Sequence, residues 1–469
     1  MQTRALLSSI ITLASALSSL SQSSAETNQW TPLFNGKDLT GWHQVGGKAD
    51  YQVEDGSIVG RAVASTPNSF LCTDREYGDF VLEYEFKVDP RLNSGVQFRS
   101  NISDTPTVYQ VDGKEIKVPA NRFHGYQAEI DPDPKRNRMW STGIYDESRR
   151  GWLYPGALGG DKEAFSEQGR ETLKPNGWNK VRIVAIGSSI STWLNGVPRA
   201  SINDDLSPSG LIGLQVHNIP NKELVGAMVQ WRNIRILEVS PDEAGLGLSE
   251  EDIAAGWLPF WDGKSGFGWH SVKTGENPDR GWEIKDGVLT VNKNRGGDIA
   301  SDQRYRAFEL ELEVQLTEGA NSGIKYFCQP NLDMKSGKQL APPKGSSIGF
   351  EYQLIDDAKH PDANKGKDGN RAFASLYDLI TADRSKQATP IGEWNKVRLV
   401  CDGKTCEHWL NGKKVVDFQL GGDDIKDRIA KSKYRNIPGF GPWEHGNIVL
   451  QDHGDRVSFR KVKLRIPAY

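Results

Sequence analysis

Gly446-Asn447-Ile448-Val449-Leu450-Gln451-Asp452-His453-Gly454 has a counterpart earlier in the chain, Gly210-Leu211-Ile212-Gly213-Leu214-Gln215-Val216-His217. In both, apolar residues alternate up to a Gln and the run ends on a His. That is the pattern of a β-strand, whose successive side chains point to opposite faces. Period two sends the Gln and the His to the same face. A core-facing strand would not carry both on one side, so a sheet presents polar groups there, and it does so twice. The chain reads as two copies of one β domain.

The rest of the sequence repeats in the same order. Trp30-Thr31-Pro32-Leu33-Phe34-Asn35-Gly36-Lys37 is answered by Trp257-Leu258-Pro259-Phe260-Trp261-Asp262-Gly263-Lys264, and Asn93-Ser94-Gly95-Val96 by Asn321-Ser322-Gly323-Ile324. Trp178-Asn179-Lys180-Val181-Arg182 is answered by Trp394-Asn395-Lys396-Val397-Arg398, and Trp193-Leu194-Asn195-Gly196 by Trp409-Leu410-Asn411-Gly412. Hairpins with Asp-Gly turns recur at Asp55-Gly56 and Asp286-Gly287. Short strands separated by Gly, Asn and Asp turns predict an all-β sandwich or jelly roll. Repeats this long are domains rather than solenoid units. The first spans 28–239 and the second 257–467. Between them 240–256 is a linker, in which Ser249-Glu250-Glu251-Asp252 before Ile253-Ala254-Ala255 predicts one short capped helix. The second copy carries long polar insertions over 356–371 and 421–443, and such loops commonly rim a binding face.

Composition narrows the partners. Of 469 residues 37% are hydrophobic, enough for ordinary cores, and the formal charge of −3 offers no basic surface to nucleic acid or anionic lipid. The 14 Trp residues suit either sandwich cores or stacking on sugar rings. Residues 1–25 read as a secretory leader, with one charge at Arg4, a short apolar run and small residues ending at Ala25. That predicts an exported protein, periplasmic or extracellular, with no membrane span. Cys401 and Cys406 flank the turn Asp402-Gly403-Lys404-Thr405, so they are either a cross-hairpin disulfide or two buried thiols.

Taken together, Leu33-Phe34-Asn35-Gly36-Lys37, the two Asn-Ser-Gly runs, Gly349-Phe350-Glu351-Tyr352-Gln353-Leu354-Ile355-Asp356, Ser375-Leu376-Tyr377 and Leu450-Gln451-Asp452-His453-Gly454 make a specific pattern. It resembles the 3-keto-disaccharide hydrolase domain family, in both copies and over nearly the whole mature chain. The first copy departs from the pattern with Gln127-Ala128-Glu129 and Val216-His217. The resemblance implies two tandem concanavalin-A-like sandwiches, usually exported, acting on oligo- or disaccharides whose sugar carries a ketone at carbon 3. Chemistry of that kind requires some source of the keto sugar, and a sugar oxidoreductase is a candidate functional partner.

Such a substrate has an unusual weakness. The ketone acidifies the proton on carbon 2, so a base can remove it, the glycosidic oxygen on carbon 1 can leave by elimination, and water can add to the enone. The site needs a base of near-neutral pKa and a group to hold the enolate oxygen. In the second copy, alternation puts Glu351 and Gln353 on one face with Lys325, Gln451 and His453, on a strand that also exposes Phe327. Glu351 or His453 is then the base and Lys325 the enolate clamp. In the first copy the same face collects Gln97, Arg99, Gln127, Glu129, Asp131, Gln215 and His217, with Glu129 and His217 as the catalytic pair. Tyr145 and Tyr377, at matching strand ends, are candidate sugar contacts or core residues. No cofactor is obligatory; a divalent metal is a candidate at Asp356, Asp357, His360 and Asp362, a run that a plain Asp-rich turn also explains. Two other readings compete with catalysis: a non-catalytic carbohydrate-binding tandem and a surface interaction protein. Fold alone does not choose among them.

Overall fold

In a computed structural model of the chain, residues 30–467 are described, except 112, 133–134, 136–137, 220–221, 240–247, 262, 264–265, 267, 279, 293–295, 343 and 442. The leader predicted over 1–25 and the linker stretch 240–247 lie outside the described residues. Each repeat is a pair of antiparallel sheets, as its short alternating strands require. In the first repeat one sheet runs Val197–Asn203, Ser189–Leu194, Asn179–Ile186, Phe80–Val88, Met228–Glu238, Ser57–Arg61, Asp50–Glu54. The other, called the site sheet below, runs Gly151–Tyr154, Ile144–Glu147, His124–Ile130, Ser94–Asn101, Leu211–Val216, Ser69–Thr73, Trp42–Gly46. The two sheets share one core, with Leu82, Phe86 and Ile183 facing Val96, Phe98, Tyr126 and Ala128.

The second repeat pairs a sheet built around Phe308–Leu316 and Trp394–Cys401 with a five-stranded site sheet. That site sheet runs Trp269–Ser271, Ile299–Tyr305, Gly446–Leu450, Asn321–Leu332, Ser346–Ile355. The repeats touch: Trp193 packs edge-on against Tyr305, its indole N–H donates to the Arg304 carbonyl at 2.9 Å, and Ser189 Oγ donates to the Ile466 carbonyl at 3.0 Å. Helix Glu250–Ala254 begins on a Ser249 and Asp252 capping box. Cys401 and Cys406 face each other across their hairpin and are bonded, while Cys72 and Cys328 are buried free thiols.

Chemistry is segregated between the faces. The outward side of the first sheet is ion-paired: Glu83 is buried, which pushes its pKa up, yet Arg182, Lys180 and Arg235 hold it down to about 2. On the site sheet, Tyr126, Ala128 and Ile130 enter the core and leave Gln127 and Glu129 on the far face. Phe350, Tyr352 and Leu354 do the same for Glu351 and Gln353.

Simple alternation fails at one place in each copy. Arg99 and Phe327 occupy matching positions, both have positive φ (45° and 48°), and the strand register shifts beside both. A bulge adds a residue and reverses the facing of the residues after it. Phe327 is therefore not exposed but packs on Phe308 and Tyr326. Arg99, expected on the ligand face, is fully buried instead and ties strand ends together, donating to the Gly78 carbonyl, the Gly187 carbonyl and Asp79.

Candidate functional site

The Asn-Ser-Gly run shapes the same place in both repeats. Ser94 Oγ donates to the Gln215 carbonyl at 2.6 Å and Ser322 Oγ to the Gln451 carbonyl at 2.8 Å, fixing the Gln strand beside it. Asn93 Nδ2 donates to Glu129 at 2.5 Å, and Asn321 Oδ1 accepts from Gln353 at 2.9 Å. The glycine leaves room for the neighbouring long side chain to lie flat. A Cβ on Gly95 would sit 2.4 Å from Gln127 Cδ, and one on Gly323 would sit 2.3 Å from Glu351 Oε1.

In the first repeat this arrangement floors a cavity of about 250 Å³ lined by Asn93, Gln127, Glu129, Gln215 and His217. Arg138, Tyr145, Glu147 and Trp152 form its wall, Trp152 lying edge-on to Tyr145. Glu129 is 4% exposed and takes its hydrogen bonds from two neutral amides, Asn93 and Gln127. Burial raises its pKa to about 7, Gln127 and Asn93 pull it down, and Asp131 adds a further raising contribution. His217 Nδ1 lies 2.8 Å from the Asn218 carbonyl, which can only accept, so Nδ1 is the donor of that bond and Nε2 is left free of it. A row of amides crosses three adjacent strands here. Both amide atoms of Gln97, Oε1 of Gln127 and Nε2 of Gln215 have no hydrogen-bond partner among the described residues. Buried amides left unmatched cost about 1–3 kcal/mol each, and Gln127 and Gln215 line the cavity.

The second repeat has a cavity of about 320 Å³, lined by Asp298, Lys325, Glu351, Gln451, Lys433 and Tyr434 among others. Its charges differ from those of the first. Lys325 Nζ donates to Asp298 at 2.9 Å, and Asp298 also accepts from the Asp452 backbone N–H. Glu351 is 6% exposed, lies over Gly323, and its carboxylate receives no hydrogen bond or ion pair among the described residues. Burial raises its pKa, against the pull of Lys325 and Lys433.

A 3-keto-alpha-glucoside-1,2-lyase-like domain profile matches residues 29–237 and again 256–465. The chain belongs to that family. Among relatives of the 3-keto-alpha-glucoside-1,2-lyase-like family, a 3-keto-disaccharide hydrolase of Bacteroides thetaiotaomicron is 34% identical over 232 residues, 45% of this chain and 79% of that protein. A solved structure from Parabacteroides distasonis, described as a glycosyl hydrolase, is 31% identical over 48% of this chain and 99% of its own, with a TM-score of 0.41. A carbohydrate-binding module from Bacillus subtilis is 17% identical over 42% of this chain and 96% of its own, with a TM-score of 0.28.

Within this family frame, the residues expected from sequence fall into two groups. Gln127, Glu129, Tyr145, Gln215 and His217 line the first cavity, and Lys325, Glu351 and Gln451 line the second. The others are placed elsewhere. Gln97 is fully buried beneath the first cavity. Asp131 lies behind it and holds Arg138 through Nε at 2.5 Å. Gln353 is buried against Asn321. Tyr377 donates to Asp362 and stacks under the Lys433 ammonium. His453, expected as a base, is exposed outside the lining of the second cavity, its ring edge-on to His360.

The metal candidates are corrected too. Asp356 accepts the backbone N–H groups of Gly319, Ala358 and Lys359, Asp357 accepts from Phe373 N and pairs with Lys386, and Asp362 accepts from Arg371 and Tyr377. His360 Nδ1 accepts from the Asp362 backbone. These groups serve loop closure, and among the described residues no three His, Cys, Asp or Glu side chains converge as a metal site. Sequence reading missed Asn93, Arg138, Glu147, Trp152, Asp298 and Lys433. Lys433 and Tyr434 come from the 421–443 insertion, a loop whose length was the available signal, and Asn93 sits in the repeated Asn-Ser-Gly.

Proposed function

We propose that the protein cleaves glycosides of 3-keto sugars by removing the carbon-2 proton, expelling the carbon-1 oxygen and hydrating the resulting enone. The observation that carries this reading is Glu129, a buried carboxylate facing a polar cavity with its pKa at about 7. A carboxylate so tuned is deprotonated often enough at neutral pH to accept a proton and basic enough to hold it. His217, in the same cavity, is the group that serves the leaving oxygen and the incoming water. The amides of Gln127 and Gln215 suit a neutral, hydroxyl-rich ligand. The family and the named relative from Bacteroides thetaiotaomicron support a glycoside as the substrate class.

The ketone has to come from elsewhere, so an oxidoreductase acting on sugars precedes this reaction. The leader-like residues 1–25 support export, and N-terminal sequencing of the mature protein tests it: a chain beginning near Glu26 agrees, and an intact Met1 does not. The function is tested by incubating the Glu351→Gln protein, in which the second cavity is disabled, with a 3-keto glucoside. Free aglycone is expected, and a further Glu129→Gln change is expected to remove about 100-fold or more of that rate. Binding of the sugar without release of aglycone by the unaltered protein would favour a lectin-like role instead.

A further inference from the structure

The second cavity holds two ammonium groups with different partners. Lys325 is tied to Asp298 at 2.9 Å, so its charge is already matched. Lys433 projects into the same cavity with Nζ 4.0 Å from the Tyr377 ring centroid and 4.9 Å from that of Tyr434, and no carboxylate pairs with it among the described residues. Its backbone N–H is anchored on Asp378 at 2.8 Å, directly after helix Asp423–Lys431 and Ser432, so the side chain starts from a fixed point. Opposite lies Glu351, buried, aimed into the cavity, its carboxylate without a hydrogen-bond donor among the described residues. The carboxylate and the ammonium attract each other across one space without a direct hydrogen bond between them, which leaves hydrogen-bonding capacity on both. A ligand uses that capacity by offering a hydrogen to the carboxylate and an electron-rich oxygen to the ammonium one bond away.

We propose that Glu351 and Lys433 form a second reaction centre for the same class of substrate, in which Glu351 takes the carbon-2 proton and the Lys433 ammonium receives the oxygen of the carbon-3 ketone. This rests on the reading of the protein as a 3-keto-glycoside-cleaving enzyme. The carbon–hydrogen bond at carbon 2 breaks and its proton goes to the Glu351 carboxylate. Its electron pair forms the carbon-2 to carbon-3 double bond, placing charge on the oxygen beside Lys433. As the ketone re-forms, that pair moves to make the carbon-1 to carbon-2 double bond and the carbon-1 oxygen leaves with the electrons of its bond, taking a proton from water. The hydroxide so formed adds to carbon 1 of the enone, and Glu351, its proton exchanged with solvent, returns one to carbon 2. Burial also disfavours the charged form of Lys433, lowering its pKa, as suits a cation that gains most when a negative charge develops next to it. The first repeat offers amides where the second offers charges, so the two centres stabilise the enolate differently.

The test uses the full-length Glu129→Gln protein, which leaves the second centre to act alone. Deuterium uptake at carbon 2 and aglycone release from a 3-keto glucoside are followed together by NMR. A measurable rate is expected, falling roughly 100-fold in kcat on Lys433→Met, with partial recovery for Lys433→Arg and little change in thermal midpoint. Lys325→Met, which strips Asp298 of its partner, is expected to lower the thermal midpoint instead. No rate in Glu129→Gln, or equal rates with and without Lys433, would overturn the second centre while leaving the first intact. An unaltered protein that neither exchanges nor releases aglycone would instead overturn the underlying function.

Discussion

Glu351 stands in the second repeat where Gln127 stands in the first: each pairs across its strand with the matching residue, Lys325 or Gln97, and each lies over the glycine of an Asn-Ser-Gly run. Two residues on, the identities are reversed, with Glu129 in the first repeat and Gln353 in the second, opposite Gly95 and Gly323. Each site sheet thus keeps one carboxylate and one amide in this pair of positions and exchanges them. The exchange decides the electrostatics. A carboxylate at the inner position is held by amides and titrates near neutrality, whereas one at the outer position faces lysines.

The titration of Glu129 makes stability depend on pH. Its folded pKa of about 7 is above the ordinary carboxylate value, so the protonated form favours the fold. That contribution is fully present below the unfolded pKa and is lost as pH rises through about 7. A shift of this size corresponds to about 3 kcal/mol. Urea unfolding of Glu129→Gln is therefore expected to show a gain over the unaltered protein that is larger at pH 8 than at pH 4.5.

Room at the two glycines is a sharper structural claim. Gly95→Ala and Gly323→Ala force Gln127 and Glu351 off their present paths, because the new Cβ would meet them at 2.4 and 2.3 Å. Overpacking of this kind costs about 1–3 kcal/mol. Gly323→Ala is expected to slow the second centre at least as much as it destabilises the fold, measured as kcat in the Glu129→Gln background against the urea midpoint.

Arg99 tests the bulge. A ligand-contacting arginine would change KM on replacement. Arg99→Met instead leaves Asp79 and the Gly78 and Gly187 carbonyls without their donor and is expected to cost about 3 kcal/mol of stability with KM unchanged. Parallel denaturation and steady-state kinetics separate the two.

Much of this organisation was legible in the residues themselves. Alternation in 210–217 and 446–454 placed Gln215, His217 and Gln451 on the ligand side, and the same period placed Gln127, Glu129 and Glu351. Two kinds of information were not local. The bulges at Arg99 and Phe327 reverse the facing of single residues, and nothing in the flanking pattern announces a positive φ at an arginine or a phenylalanine. The walls of the cavities come from distant segments: Arg138 is held by Asp131, Lys433 is carried by the 421–443 insertion, and Asp298 reaches Lys325 from the strand start before Ile299. His453 shows the limit of analogy between copies. It follows its Gln by the same count as His217, yet His217 comes one residue after its strand, which ends at Val216, whereas the second strand ends at Leu450, three residues before His453, whose ring meets His360.

The most direct measurement is the hydrogen isotope at carbon 2 of the sugar released when a 3-keto glucoside is cleaved in deuterated water, sampled before uncatalysed exchange of the product. Removal of the carbon-2 proton followed by hydration of the enone places one solvent deuteron there in every turnover, and a product that keeps its original hydrogen would contradict the account.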